Sequence, residues 1–172
     1  QLGKTVVEFL NLMIQEFNTR FTQLRLKTSA EGGKKLSTHQ LLILASMIEK
    51  ETGTAEDRPL IAGVFHNRLR LKMKMQSDPT VIYGIPNFDG KLTRKHLETP
   101  TPFNTYTEMG LPPTPISNPG WDSLHSALQP ASVKYLYFVA RGDGSSAFSH
   151  TLREHQRAVW KYQVQPHRNS RC

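Results

Sequence analysis

Apolar residues recur at three- and four-residue spacing near the start of the chain, and this spacing predicts an amphipathic helix over residues 4–25. Its stripe consists of six apolar residues: Val7, Leu10, Ile14, Phe17, Phe21 and Leu24. Gly32 and Gly33, followed by two lysines, interrupt the pattern and predict a flexible link. Residues 1–35 are therefore expected to form an N-terminal helix and linker with a structural role.

Two further helices are predicted after this link. The tetrapeptide that begins at Ser37 matches a capping box, so a helix is expected to start there and to stop near Gly53. This helix is apolar on nearly every side between residues 41 and 48, which predicts that it is buried. The third helix has Asp57 near its start, Pro59 in its first turn, and an apolar stripe of Ile61, Val64, Phe65 and Leu69.

The pattern changes after Met75. Six of the 11 prolines lie between residues 100 and 119, a density that excludes helix or central strand and predicts a long loop with rigid, extended stretches. Beyond it the sequence predicts a strand over 134–140, a turn at 142–144 and a short return strand over 147–149. A helix is predicted over 151–163, and one side of it carries Leu152, His155, Val159 and Tyr162. The polar tail, residues 164–172, is expected to be disordered. The expected fold is α+β, with a small antiparallel β element and a long proline-rich loop.

The composition is that of an ordinary globular protein, with 172 residues of which 37% are hydrophobic and 21% charged. The longest apolar stretch, residues 41–48, is too short to span a bilayer, and no signal-peptide pattern is predicted. The single cysteine, Cys172, excludes an internal disulfide. The net charge of +8 favours an anionic partner (nucleic acid, an anionic membrane or an acidic cell-wall glycan) without choosing among them. The densest basic run, residues 68–74, is interpreted as a solvated helix face.

Two glutamates, Glu49 and Glu51, lie at the end of the buried helix. Residues two apart project to nearly opposite sides of a helix, so these carboxyl groups cannot form one pair. At about 100° per residue, Glu51 projects between Leu44, Met47 and Ile48, a more apolar lining than that of Glu49. Burial and the helix dipole would both raise the pKa of Glu51, giving the protonated acid that glycosidic bond cleavage needs. The alternative is that both glutamates are solvated at a frayed helix end.

Two polar segments add candidate binding groups. Residues 76–84 contain Gln76, Asp78 and Tyr83; because Asp-Pro starts turns, Asp78 has the alternative role of capping a short turn. Residues 103–113 contain Phe103, Asn104, Thr105 and Tyr106, whose amide, hydroxyl and aromatic groups on a stiff loop suit sugars. Three aromatic residues are candidates for stacking on sugar rings, with core anchoring of the loop as the alternative: Tyr106, Tyr137 and Trp121.

Other chemistries lack their sequence signatures. No glycine-rich phosphate loop, dinucleotide fingerprint or G-x-S-x-G elbow is present. The seven histidines show no paired ligand spacing, so no metal site is predicted, and no cofactor is expected. The remaining candidates are the glutamates and the two polar segments, with a serine triad outside such an elbow as an open alternative.

At these residues the sequence resembles the endolytic murein transglycosylase family, also called MltG or YceG-like. The resemblance rests on five segments, ASMIEKETG (45–53), VFHNRLRLKMKMQSDPTVIYG (64–84), LTRKHLETPTPFNTYTEMGLPPTPISNPG (92–120), SALQPA (126–131) and YLYFVARGDGSSAFSHTLREH (135–155). Together they cover roughly residues 36–163 in order, which is far more specific than a single short motif.

The resemblance implies a lysozyme-like helical core and a lytic transglycosylase domain over residues 36–163. Such enzymes cleave the β-1,4 bond between N-acetylmuramic acid and N-acetylglucosamine within peptidoglycan strands and leave 1,6-anhydromuramyl ends. The family's single general acid/base is the second glutamate of the E-K-E-T motif, which is Glu51 here. Six further residues are expected to line the glycan groove: Gln76, Asp78, Tyr83, Asn104, Thr105 and Tyr106.

The resemblance also implies peptidoglycan glycan strands as partner, penicillin-binding proteins (peptidoglycan synthases) as further candidates, and no nucleic acid. Family members lie at the periplasmic face of the inner membrane, held by an N-terminal helix, and carry a LysM-like domain. Neither is matched here, so a soluble catalytic fragment is expected. An older family label, aminodeoxychorismate lyase, would require a lysine that binds pyridoxal phosphate, and no lysine is singled out. The alternative function is a non-catalytic module that binds glycan or nucleic acid.

Overall fold

The computed structural model describes residues 5–28 and 36–165, and the chain divides into two compact units, Gln1–Lys35 and Leu36–Cys172. The described elements are α1 (Val6–Thr28), α2 (Thr38–Glu51), α3 (Arg58–Arg70), α4 (Asp78–Tyr83), α5 (Arg94–Glu98), α6 (Trp121–Leu128), β1 (Tyr137–Ala140), β2 (Ser146–Ser149), α7 (Leu152–Val159) and a π-helical turn (Trp160–Val164). None of the helices in these ranges combines the length and apolarity needed to cross a bilayer.

The first unit contains the predicted amphipathic helix, α1. Its stripe is only partly covered, because Phe21 and Leu24 are buried whereas three earlier members, Val7, Leu10 and Ile14, are exposed. The predicted link at Gly32 and Gly33 lies outside the described residues, as does most of the polar tail.

Helix α2 is the buried centre of the second unit, as its sequence predicts. The capping box is present, since the Ser37 hydroxyl accepts from the backbone N–H of Gln40 and the Gln40 side chain accepts from the N–H of Ser37. Residues 44–48 are completely shielded from solvent. The helix packs against α3, α4 and α6, so the rest of the second unit is built around it.

Helix α3 matches its predicted position but not the predicted environment of its basic end. It ends at Arg70, and Arg68 is only 6% exposed. The interpretation of residues 68–74 as a solvated face is therefore wrong for Arg68. Its guanidinium lies inside the unit because backbone carbonyls converge on it, a tertiary arrangement that leaves no mark on the local charge pattern.

The proline-rich segment contains neither helix nor strand between residues 100 and 119, as predicted. The short helices α5 and α6, on either side of it, are not predicted by the sequence. They have five and eight residues, too few for an apolar period to stand out. Helix α6 nevertheless packs closely on α2 and α3.

The β element is a hairpin in which β1 and β2 run antiparallel, with Tyr137 opposite Ser149 and Ala140 opposite Ser146. The α+β class is confirmed. The ladder covers only the last four residues of the strand predicted over 134–140, because β2 is four residues long. Helix α7 packs on both strands, but Leu152, a member of its predicted stripe, is exposed.

The hairpin turn closely approaches the segment that follows α2. A Cβ atom at Gly53 would lie 2.1 Å from the carbonyl oxygen of Gly144, a separation that backbone atoms cannot tolerate. Only glycine fits at position 53. The hairpin turn therefore lies against the chain two residues after Glu51.

Candidate active site

Glu51, the last residue of α2, lies on the helix face that carries Leu44, Met47 and Ile48, all of which are fully buried. Glu51 as a whole residue is partly exposed, but protein atoms surround its carboxyl group almost completely. Its Oε1 atom accepts a hydrogen bond of 2.6 Å from the hydroxyl of Ser77, which directly precedes α4. The alternative of a solvated, frayed helix end is therefore wrong for Glu51.

The pKa of Glu51 is raised from 4.5 to about 7. Burial is the main cause because it disfavours the anion, and the negative charge of Asp78 acts in the same direction. The Ser77 hydrogen bond and the positive charge of Arg68 oppose the rise in pKa. A carboxyl group with this pKa is present in both the protonated and the ionised form near neutral pH, as a group that alternates between acid and base requires.

Glu49 has a different environment although it lies on the same helix. Its Oε2 atom accepts from the Ser123 hydroxyl at 2.5 Å and from the backbone N–H of Gly120 at 3.1 Å, at the start of α6. The Ser123 hydrogen bond is the largest cause of a lowered pKa. Glu49 therefore stays ionised and joins α2 to α6, which leaves Glu51 as the candidate acid.

Ser77 is held in place by two threonines. Its backbone N–H donates to Thr105 Oγ1 at 3.0 Å, and its backbone carbonyl accepts from the Thr80 hydroxyl at 2.7 Å. The two threonine hydroxyls also contact each other at 2.8 Å. All three residues are buried. Ser77 was not singled out from the sequence, where nothing distinguished it from the flanking Gln76 and Asp78.

Asp78 and Tyr106 form a second polar pair beside Glu51. The Tyr106 hydroxyl donates to Asp78 Oδ1 at 2.6 Å, so the phenol orients the carboxylate. The pKa of Tyr106 is raised, first by burial and then by the hydrogen bond to Asp78. Asp78 remains exposed as the first residue of α4, where Ser77 is the N-cap; its side chain contacts Tyr106, so it does not take the alternative role of capping the turn.

Arg68 is a further member of the site that the sequence did not indicate. Its Nε donates to the carbonyl of Leu136 at 2.7 Å, and its Nη1 donates to the carbonyls of Lys74 and Met75 and to Gln76 Oε1. Arg68 thus joins α3 and the chain before β1 to the segment that leads into Ser77. Its charge also favours the ionised form of Glu51.

Gln76 and Tyr83 lie at either end of the segment around α4, and both are exposed. Gln76 has a φ of 49°, uncommon for a residue with a side chain, and its N–H donates to the carbonyl of Thr105. The ring of Tyr83 is 52% exposed and lies 5.0 Å from that of Phe103. Both side chains are therefore accessible to a ligand.

Asn104 and Thr105, two of the six expected groove residues, are buried to 0% and 1% exposure. The Asn104 amide donates to three carbonyls, those of His96, Leu97 and Thr99, and accepts from the N–H of Tyr106. The Asn104 side chain is engaged by the loop, and that of Thr105 by Ser77 and Thr80, so neither can reach a sugar from these positions, which corrects the expectation that they line the groove. Asn104 instead folds the loop that carries Tyr106.

Of the aromatic residues considered for stacking, Tyr137 and Trp121 lie in different settings. The ring of Tyr137 lies 5.1 Å from the Arg68 guanidinium and 5.2 Å from the stacked ring of His155, which favours the anchoring alternative. Trp121, the first residue of α6, is 45% exposed.

Over residues 5–28 and 36–165, no three His, Cys, Asp or Glu side chains converge as a metal site would require.

Replacing Asn104 by alanine is expected to destabilise the second unit by about 3 kcal/mol, because three carbonyls and one N–H lose a buried partner. Urea unfolding followed by circular dichroism measures this loss. Asn118→Ala, at an exposed position of the same loop, is the matched control and should stay within about 0.5 kcal/mol of wild type. Equal stability of both variants would show that Asn104 does not hold the loop.

Comparison with known proteins identifies the family of the chain. The profile of the YceG-like family matches residues 1–161. The endolytic murein transglycosylase of Bacillus subtilis (strain 168) is 46% identical over 128 residues, which cover 74% of this chain and 36% of that protein. The protein of the same name from Streptococcus pneumoniae (strain ATCC BAA-255 / R6) is 34% identical over 146 residues, which cover 79% of this chain and 26% of that protein.

A crystal structure of a YceG-like protein from Listeria monocytogenes is also similar. It matches with a TM-score of 0.79 and 39% identity, over 91% of this chain and 51% of that one. The chain therefore spans 26–36% of these two curated relatives and about half of the solved one. Because the family profile matches nearly the whole length of the chain, the chain belongs to the YceG-like family.

Proposed function

We propose that this chain is the catalytic domain of a lytic transglycosylase that cleaves peptidoglycan glycan strands internally, with Glu51 as its single general acid/base. The observation that carries the proposal is the buried carboxyl group of Glu51, whose pKa is raised to about 7 beside an exposed polar cluster. The relatives named endolytic murein transglycosylase support the same substrate class.

In the first step, neutral Glu51 donates its proton to the oxygen that bridges N-acetylmuramic acid and N-acetylglucosamine, as the bond from C1 of the muramic acid to that oxygen breaks. Positive charge develops at C1, and the 2-acetamido group of the substrate stabilises it, as in substrate-assisted glycosidases. The N-acetylglucosamine end leaves as the free alcohol.

In the second step, the Glu51 carboxylate removes the proton of the C6 hydroxyl, and that oxygen bonds to C1. The product is a 1,6-anhydromuramyl end, no water is consumed, and Glu51 is protonated again. Because the C6 oxygen belongs to the same sugar, the nucleophile is already close to C1, which gives the reaction an intramolecular advantage.

Four exposed or half-buried side chains of the cluster are proposed to line the glycan groove: Gln76, Asp78, Tyr83 and Tyr106. The Asp78 carboxylate, oriented by Tyr106, contributes negative charge beside Glu51, which stabilises a cationic carbon and favours the protonated acid. Tyr83 offers an exposed ring to the apolar face of a sugar.

The proposed setting is the periplasmic face of the inner membrane, where peptidoglycan is built. The formal charge of +8 favours strands whose peptides carry carboxylates. Penicillin-binding proteins are the proposed macromolecular partners, since cleavage of new strands must be coordinated with their synthesis.

Digestion of purified murein by the chain, followed by mass spectrometry of the products, tests this function. We expect fragments that end in 1,6-anhydromuramic acid, which are one water lighter than hydrolytic products. Chemical reduction should leave these ends unchanged, because they have no reducing group. Reducing ends would instead indicate hydrolysis, and intact murein would contradict the proposed activity.

A further inference from the structure

We propose that Ser77 is a positioning residue that decides which oxygen of Glu51 carries the transferable proton. This inference rests on the proposed function, since it concerns the same acid. Its basis is the set of hydrogen bonds around Ser77, in which the donors and acceptors determine where each hydroxyl proton lies.

The backbone of Ser77 is fixed by a closed ring of hydrogen bonds. The Thr80 hydroxyl donates its only proton to the carbonyl of Ser77, so in its contact with Thr105 it must accept. Thr105 is therefore the donor to Thr80, and its oxygen accepts from the Ser77 N–H. Every donor in this buried ring has an acceptor, and the ring leaves the Ser77 hydroxyl free to point elsewhere.

The Ser77 hydroxyl points at Glu51, and it is the donor. Among the described residues it has no hydrogen-bond partner other than Glu51 Oε1, at 2.6 Å, and Ser77 is 1% exposed. If the carboxyl proton pointed at Ser77 instead, the serine proton would be buried without an acceptor, which costs about 1–3 kcal/mol. Ser77 therefore donates whether Glu51 is protonated or ionised.

This direction places the proton of neutral Glu51 on Oε2. In a neutral carboxyl group the carbonyl oxygen accepts better than the hydroxyl oxygen, so the atom that accepts from Ser77, Oε1, is the carbonyl oxygen. Oε2 is then the acid in the first step and the base in the second. The positive φ of Gln76 and the hydrogen bond from Arg68 to the Gln76 side chain hold the segment that presents Ser77.

The same hydrogen bond eases proton release. A hydroxyl donates more strongly to a carboxylate than to a neutral carboxyl group, so Ser77 stabilises the ion that Glu51 becomes after the first step. It opposes the effect of burial, which raises the pKa of Glu51. Without Ser77, Glu51 should retain its proton more strongly and release it more slowly.

Carbon-13 titration of the glutamate carboxyl groups tests the inference without any substrate. The Glu51 resonance is identified by its loss in Glu51→Gln. In Ser77→Ala we expect the pKa of Glu51 to rise by about one, since one hydroxyl no longer favours the anion. In Ser77→Thr, which keeps the hydroxyl, the pKa should return to its wild-type value; an unchanged pKa in Ser77→Ala would overturn the inference.

The matched control is Ser123→Ala. Ser123 is also a buried serine that donates to a glutamate of α2, namely Glu49, so its loss removes a comparable hydrogen bond. We expect Ser123→Ala to lose similar thermal stability but to leave the Glu51 titration unchanged. A change in the Glu51 pKa of equal size in both alanine variants would show a general effect on α2 and overturn the specific role of Ser77.

Activity on murein gives the second measurement. In Ser77→Ala, kcat should fall about tenfold, KM should stay within about twofold, and the basic limb of the pH profile should move upward with the Glu51 pKa. Inactive wild type would reject the proposed function, whereas active wild type with an unaltered Ser77→Ala profile would reject only this inference.

Discussion

Glu51→Gln is expected to reduce the release of anhydro-ended fragments from murein by roughly 10³-fold, the middle of the range, on a logarithmic scale, for loss of a general acid/base. Glutamine has nearly the same shape and can still accept from Ser77, but it can neither donate a proton to the bridging oxygen nor remove one from the C6 hydroxyl. Product release is measured by liquid chromatography and mass spectrometry at equal concentrations of folded protein.

Glu49→Gln is the matched control, because it makes the same change two residues earlier on the same helix. It weakens the hydrogen bonds from Ser123 and Gly120 and should cost about 1 kcal/mol of stability, with activity per folded molecule within a few-fold of wild type. If Glu51→Gln kept more than about a tenth of wild-type activity, Glu51 could not be the general acid of the reaction.

The second large effect is on stability as a function of pH. The pKa of Glu51 rises from 4.5 in the unfolded chain to about 7 in the folded one, so the folded state binds the proton more tightly. Below pH 4.5 Glu51 is protonated in both the folded and the unfolded chain, so it does not lower the free energy of unfolding. Between pH 4.5 and 7 the unfolded chain ionises while the folded chain keeps its proton, so stability falls by about 3 kcal/mol in all and levels off above 7, where the folded chain also ionises.

Glu51→Gln removes this titration, so the variant is expected to match wild type near pH 4 and to exceed it by about 3 kcal/mol near pH 8. Other carboxyl groups, such as Glu49 with its lowered pKa, change stability in the opposite direction but equally in both proteins. Urea unfolding at four or five pH values measures the difference. A difference that does not depend on pH would mean that Glu51 ionises normally in the folded chain.

Local sequence patterns were sufficient to predict the longer elements. The capping box at Ser37 and the apolar run that follows it predicted the start and burial of α2, and the proline-rich segment was correctly predicted to lack helix and strand. These signals depend on neighbouring residues, as backbone geometry and capping do. The five- and eight-residue helices α5 and α6 were missed because they are shorter than the window in which periodicity is visible.

The sequence also distinguished Glu51 from Glu49, because residues two apart on a helix face different sides. It did not show which residues pack against each side of the helix. Ser123 and Gly120 lie more than 70 positions away from Glu49, and Ser77 lies 26 positions from Glu51. The hydrogen bond from Ser123 lowers the pKa of Glu49, whereas burial raises that of Glu51 against the effect of Ser77.

By itself, then, the sequence determined the longer helices and the family and singled out Glu51 as the candidate acid, since these follow from short-range spacing and from motifs that can be read directly. Only the tertiary structure decided that Arg68 is buried, that Asn104 supports the loop while Thr105 holds Ser77, and that Ser77 contacts Glu51. The physical reason is that burial and hydrogen bonding depend on atoms brought together from distant segments. A run of charged residues or a polar motif has the same amino-acid sequence whether solvent or backbone carbonyls surround its side chains.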